Sequence, residues 1–264
     1  WKALLVAFAL LSITAMAIEG VFAVAAFERG VEGLLGVKRD RVMHDGQAAF
    51  VVRELAPWSL APQSGLQVGD TFIPDHWYDV GRSFAPGESI GGTIVRDGAS
   101  LRAEVTTTPR PIERMARLFF FLNAAACSLG ILISLAIGFR QADRKSSRAL
   151  ALAFLWFSTN LGADYAPPQW PLVYARVMND AAFVPGWYFL LWFAIHYPDG
   201  IPTGWRRGLR RVLPLFLIGA VVGTAIHVAS ALGRIAPDAA GTAYLVYVGV
   251  AGPLTLVAFW DGWR

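Results

Sequence analysis

Charge and cysteine are both scarce in this chain: charged residues make up 16% of its 264 positions, and cysteine occurs once. The single thiol, Cys127, lies inside an apolar run, which excludes a disulfide framework and a cysteine-based metal site. The four histidines, His44, His76, His196 and His227, stand apart, so the His-Glu-x-x-His pattern of a zinc protease is missing. Neither a Gly-x-Ser-x-Gly elbow nor a phosphate loop occurs. No catalytic site, metal or cofactor is expected within these residues.

What is abundant is apolar. Hydrophobic residues reach 55%, too many for an ordinary soluble domain. A hydrocarbon core ~30 Å thick needs about 20 apolar residues per helix. Six segments approach that length, at 3–27, 117–139, 149–165, 180–197, 212–232 and 242–260. Of the ten tryptophans, Trp1, Trp170, Trp187, Trp205, Trp260 and Trp263 fall near segment ends, as an interfacial aromatic belt would. The net charge of +4 resides in short loops between apolar segments, so membrane lipid is an expected partner and nucleic acid is not.

Those loops predict an orientation. One carries Arg140, Arg144, Lys145 and Arg148, another Arg206, Arg207, Arg210 and Arg211, whereas the alternate connections at 166–173 and 233–241 hold only Arg234. Six helices with both termini cytoplasmic would give this alternation. Residues 1–27 then form the first helix, 28–113 face outward, and 114–264 form five further helices. The chain begins at Trp1 and stops at Arg264, just after an apolar segment, so it reads as a piece of a longer protein with an output domain beyond it.

Residues 28–113 differ in character, with charges of both signs, Gly/Pro punctuation and short alternating runs at 50–55, 92–95 and 101–105. The Asp97-Gly98 pair between two such runs predicts a hairpin. The stretch Ala49–Asp70, with Pro57-Trp58-Ser59 and Gly65-Leu66-Gln67-Val68-Gly69-Asp70, resembles the PDZ domains of bacterial envelope proteins, and Arg96-Asp97-Gly98 is similar to a hairpin near the end of those domains. The resemblance implies a small α+β fold that binds peptides by adding a strand. Leu35-Gly36-Val37 is similar to that family's carboxylate loop, which makes Leu35, Gly36 and Val37 expected ligand-binding residues, and implies that a strand at 37–42 receives the peptide. Trp58 and Leu60 around Ser59, Ser64, and the segment 76–83 depart from the pattern. Pro86 and two glycines shorten the groove helix expected near 81–88. A PDZ-like spacer pressed onto the helices therefore stands beside the peptide-binding groove as an alternative.

An ionisable group within a bilayer costs about 2.5–3.5 kcal/mol at mid-depth and needs an account. With the orientation above, Glu19, Asn123, Asn160, Asp180 and His227 all fall in the outer half, together with Ser158, Thr159, Tyr244 and Tyr247. This clustering predicts an outward-opening ligand pocket beneath the inserted domain; interhelical hydrogen bonding is the alternative.

The fold class is thus mixed: an α-helical transmembrane bundle of about six helices, with a small α+β PDZ-like domain inserted between helices 1 and 2. That layout is similar to the sensor region of bacterial histidine kinases, the competence quorum-sensing kinases among them, and His196-Tyr197-Pro198-Asp199-Gly200 is similar to a phrase found in such bundles. The resemblance implies an inner-membrane receptor for an extracytoplasmic peptide or small molecule, homodimeric by analogy, that signals to a cytoplasmic kinase. Another output enzyme (a phosphatase or cyclase) and a PDZ-type envelope scaffold are the alternatives.

Overall fold

The computed structural model describes residues 1–80, 84–159, 170–198, 200–232, 234–235 and 237–263. Six α-helices are seen among them: α1 (Lys2–Arg29), α2 (Arg114–Arg140), α3 (Lys145–Phe157), α4 (Trp170–His196), α5 (Gly204–Ala231) and α6 (Pro237–Trp263). Four stretches are long and apolar enough to cross a membrane, Lys2–Arg29, Arg114–Arg140, Gly204–Ser230 and Ala239–Trp263. The chain is a membrane-embedded protein of mixed fold, because seven strands lie between α1 and α2 among the described residues.

Two of those strands form a ribbon. Gly30 caps α1 in the left-handed conformation (φ 73°), its N–H bonded to the carbonyls of Ala26 and Phe27. The chain then enters β1 (Val31–Leu34), which pairs antiparallel with β7 (Thr108–Pro111) just before α2. Ile112 N–H closes the base by donating to Gly30 O at 3.0 Å. The ribbon therefore joins the first two helices directly to the inserted domain.

That domain is a five-stranded antiparallel sheet in the order β2 (Val37–His44), β3 (Gln47–Leu55), β4 (Thr71–Pro74), β5 (Ser89–Arg96) and β6 (Ala99–Thr106). Two tight hairpins set its register, at Asp45-Gly46 and at the expected Asp97-Gly98, all four residues at positive φ. Phe50, Val52, Leu66, Phe72, Ile94 and Val105 fill its core. Helix is scarcer here than the expected α+β fold requires. Among the described residues it amounts to two 3₁₀ turns, Ala61–Ser64 and Trp77–Val80. Pro62 and Gly65 bracket the first and leave room for one turn only.

In the bundle, α4 packs against α1, α3, α5 and α6. Every described helix begins before its apolar run, most of all α4 at Trp170 and α5 at Gly204, against expected starts of 180 and 212. Hydropathy marks where a helix can meet lipid, whereas backbone hydrogen bonding continues through polar turns such as Arg206–Arg211. The earlier start also moves Trp187 from a helix end to mid-α4, where its ring meets Phe157 edge-on at 5.6 Å instead of joining a belt.

The helix ends sort by charge. Trp1 Nε1 donates to Gly138 O at 3.1 Å, and Arg148 lies 5.5 Å from the Trp1 ring centroid. Arg206 pairs with Asp261 at 2.9 Å and donates to Tyr197 O. The basic residues of both loops thus gather at the end of the bundle opposite the β domain.

Candidate functional site

β2 is an edge strand: among the described residues β3 is its one sheet partner. An unpaired strand edge is a template for a further strand. β2 also touches α6, so the same strand borders the bundle.

The Leu35–Val37 loop leading into β2 is fixed from behind. Leu35 is buried in the domain core and Val37 packs on that core. Ser59 Oγ donates to Leu35 O at 2.5 Å, and Ala56 N–H donates to Gly36 O at 2.8 Å. Gly36 has φ 64°, and a Cβ there would lie 2.7 Å from Ser59 Cβ and 2.8 Å from the Trp58 ring. Glycine at this position is thus required by backbone conformation and by the approach of Trp58 and Ser59. Of the residues that depart from the PDZ pattern, Trp58 is one that closes on this loop, beside the motif's own Ser59.

Where a groove helix was expected, residues 84–88 form a bridge and a turn, and 81–83 lie outside the described residues. The 3₁₀ turn at Trp77–Val80 packs instead against β3 and β4. Arg39 of β2 stands opposite Val52 and places its guanidinium 5.0 Å from the centroid of the Phe50 ring. Its Nη1 is buried and makes no hydrogen bond among the described residues. Burial first, and then the neighbouring Arg41 charge, lower its pKa to about 10, so it remains a cation at neutral pH. An acceptor beside β2 would meet a cation that is already desolvated.

The motif phrase itself serves as a latch. Asp70 accepts from Arg96 Nε and Nη2, both at 2.7 Å, and from Gln67 N–H at 2.7 Å. Arg96 Nη2 also reaches Gly65 O at 2.8 Å. The Arg96 bond is the main cause that holds the Asp70 carboxyl below the usual carboxylate range, against burial, which raises it. Both partners were visible in the quoted motifs, but their pairing depends on β4 and β5 being neighbours, which sequence spacing does not reveal.

Of the polar residues of the outer half, Glu19 lies on α1, Asn123 on α2, His227 on α5, and Tyr244 and Tyr247 on α6. Glu19 is buried in the α1 stripe that also holds Ala15, Ala23 and Ala26. Asn123, half-buried on α2, accepts a weak bond from Cys127 Sγ at 3.9 Å. His227 of α5 lies edge-on to Tyr244 of α6, ring centroids 6.2 Å apart. α4 packs against both α1 and α5. Asp180 belongs to α4 with its side chain outside the described atoms, and Asn160, another expected ligand residue, lies outside the described residues. Tyr247 joins α6 to α5 by donating to Phe216 O at 3.1 Å.

Sequence reasoning missed three features. Arg39 carries no motif, although its place on the strand after the Gly36 loop was a usable signal. Gly130, Ser134 and Gly138, spaced by four, line the face of α2 against α1 and α3, where Ser134 Oγ donates to Ala151 O at 2.6 Å; that small-residue spacing is readable in a transmembrane segment. The basic loops were read for topology alone, yet their residues line a cavity.

Fold and site together define a membrane-embedded helical bundle with an inserted antiparallel β domain. No protein-family model matches the chain, and no curated protein sequence matches it.

Proposed function

We propose that the chain is a membrane sensor in which the β domain takes up an extracytoplasmic ligand at β2 and passes the change to the helices. One observation carries this reading: β2 is both the edge strand of its sheet and a strand that touches α6. A peptide added to β2 would gain main-chain hydrogen bonds along the edge, and the Arg39 guanidinium would favour an acidic group. Binding would bear on α6 directly, and on α1 and α2 through the β1–β7 ribbon. The PDZ resemblance supports a peptide ligand, and the gathering of basic loops at the opposite end supports an outward-facing β domain and cytoplasmic termini in a bacterial inner membrane. By resemblance to sensor kinases, the output is a histidine kinase reached through α6 or a later helix.

Hydrogen exchange on the chain in nanodiscs tests this, with a panel of acidic peptides bearing a free or an amidated C-terminus. Free-carboxylate peptides should protect Val37–His44 and alter exchange in the first turns of α6. Protection of β2 with no change in α6 would make the domain a binding module without coupling. An absence of protection across the panel would sink the peptide reading and leave the spacer alternative.

A further inference from the structure

A cavity lined by described residues lies at the other end of the bundle, away from β2. It has a volume of about 780 Å³ and opens between the start of α3, the end of α4 and the first turns of α5. Arg144, Lys145 and Arg210 supply three cations to its wall, all exposed and none in an ion pair among the described residues. His196 also lines it, with Nδ1 donating to Trp192 O at 2.8 Å, which leaves Nε2 as the ring's remaining polar atom. Among the described residues no carboxylate lines the cavity. Deeper in, the wall turns apolar, with Trp192 and Leu213 among its residues.

We infer that this cavity binds a phosphate-bearing anion, its charge held by Arg144, Lys145 and Arg210 and its apolar part laid against Trp192 and Leu213. Three cations on one wall, with no carboxylate among the described residues that line it, create a local positive potential, and guanidinium groups match phosphate oxygens two at a time. Size argues for more than a bare ion, because sites of roughly 300–1,000 Å³ hold whole organic ligands. The amphipathic wall suits a lipid headgroup with the start of its acyl chains, and basic pockets between transmembrane helices bind such headgroups. A soluble phosphate compound shares the same polar chemistry and is separated from lipid by experiment. This site stands independently of the sensor reading, since it uses neither β2 nor the ribbon.

Native mass spectrometry of the chain released from nanodiscs of equal phosphatidylcholine and phosphatidylglycerol provides the test. Phosphatidylglycerol should be retained preferentially, and the Arg144→Gln, Arg210→Gln double variant should weaken that retention about thirtyfold, about fivefold per cation removed. The Arg144→Lys, Arg210→Lys variant keeps the charge and should restore most of it. A second arm titrates inorganic phosphate into phosphatidylcholine-only nanodiscs. Saturable binding there, lost in the Gln variant and without lipid preference, assigns the cavity to a soluble phosphate compound. The control Arg207→Gln, Arg211→Gln removes the same charge from exposed positions of α5 outside the cavity. Equal loss in the control, or binding in neither arm, overturns the proposal.

Discussion

The β domain and the helical bundle are packed by opposite rules. In the domain the largest apolar side chains are innermost: Phe50 and Phe72 are each 1% exposed. In the bundle, Phe119 is 63% and Leu256 72% exposed, while Ala149, Ala151 and Ala153 of α3 are fully enclosed. Water drives large apolar groups inward, whereas lipid tails are as apolar as leucine and offer no such drive, so helices in a membrane associate through close backbone approach. The inserted domain is built for water and the bundle for lipid.

The largest expected break in this contrast is at the junction. A Cβ on Gly33 of β1 would overlap the backbone carbonyl of Ala85 and approach Thr107 Oγ1 to 2.7 Å. Backbone cannot move aside as a flexible side-chain tip can, so Gly33→Val should cost about 3 kcal/mol. Hydrogen exchange in β5 and β6 of the intact chain would show it as faster opening. Wild-type exchange rates would mean that the ribbon is not docked on the sheet as described.

The packing rule in the bundle comes next. Gly130 faces Ser158 so closely that an added Cβ would overlap its hydroxyl, and Leu5 stands in the same relation to Gly138. Gly130→Leu should force α2 from α3 and destabilise the bundle by about 2 kcal/mol. Leu132→Ala, at a position 63% exposed, should change stability by no more than about 0.5 kcal/mol. Thermal unfolding in nanodiscs compares the two. A larger loss at Leu132 than at Gly130 would reverse the inside-out assignment.

Asp70 tests the water-built side. Its carboxylate is almost enclosed and accepts three bonds, so Asp70→Asn should cost about 2 kcal/mol at neutral pH. The folded-state pKa of Asp70 is depressed, so its stabilisation is full above the unfolded value of about 4 and is lost as pH falls through the folded value. The gap between wild type and variant should therefore close in acid below that point. A gap that persists unchanged at low pH would show that the loss came from packing.

How much was legible follows from the same division. Periodicity and turn chemistry are local, so β2 to β6 and the Asp97-Gly98 hairpin could be read, and Asp45-Gly46 carried the same signal. Four of the six expected apolar runs coincide with helices long and apolar enough to cross a membrane, and they were legible because lipid demands a contiguous apolar length. The starts of α4 and α5 were not, since the turns beyond the hydrocarbon carry Arg176 or Arg206–Arg211 and look like loops to a hydropathy window. Candidate sites were least legible. Gly36 stood out as a ligand-loop glycine, yet its φ and its contact with Trp58 and Ser59 depend on a turn 20 residues away. Arg39 gains meaning only once Phe50 lies beneath it, and Arg144, Lys145 and Arg210 form one wall only when α3 and α5 meet at α4.

The smallest expected effect is also the most useful for separating stability from recognition. Asp40 of β2 and Arg53 of β3 pair at 2.5 Å with both side chains more than half exposed. Solvent screens such a pair, and ordering two side chains offsets much of the attraction, so Asp40→Asn should change stability by about 0.5 kcal/mol or less, and less still at high salt. Asp40 nevertheless sits on the strand that would receive a ligand, next in sequence to the half-buried Arg39 and on the opposite face of the strand. Removing its negative charge should therefore strengthen capture of an acidic peptide while denaturation of the chain stays near wild type. Titration of the peptide panel against Asp40→Asn and wild type in parallel measures this. Unaltered binding of a peptide that protects β2 would place the recognised charge away from this strand, and a substantial loss of stability would mean that this exposed pair is coupled to the core in a way its exposure does not predict.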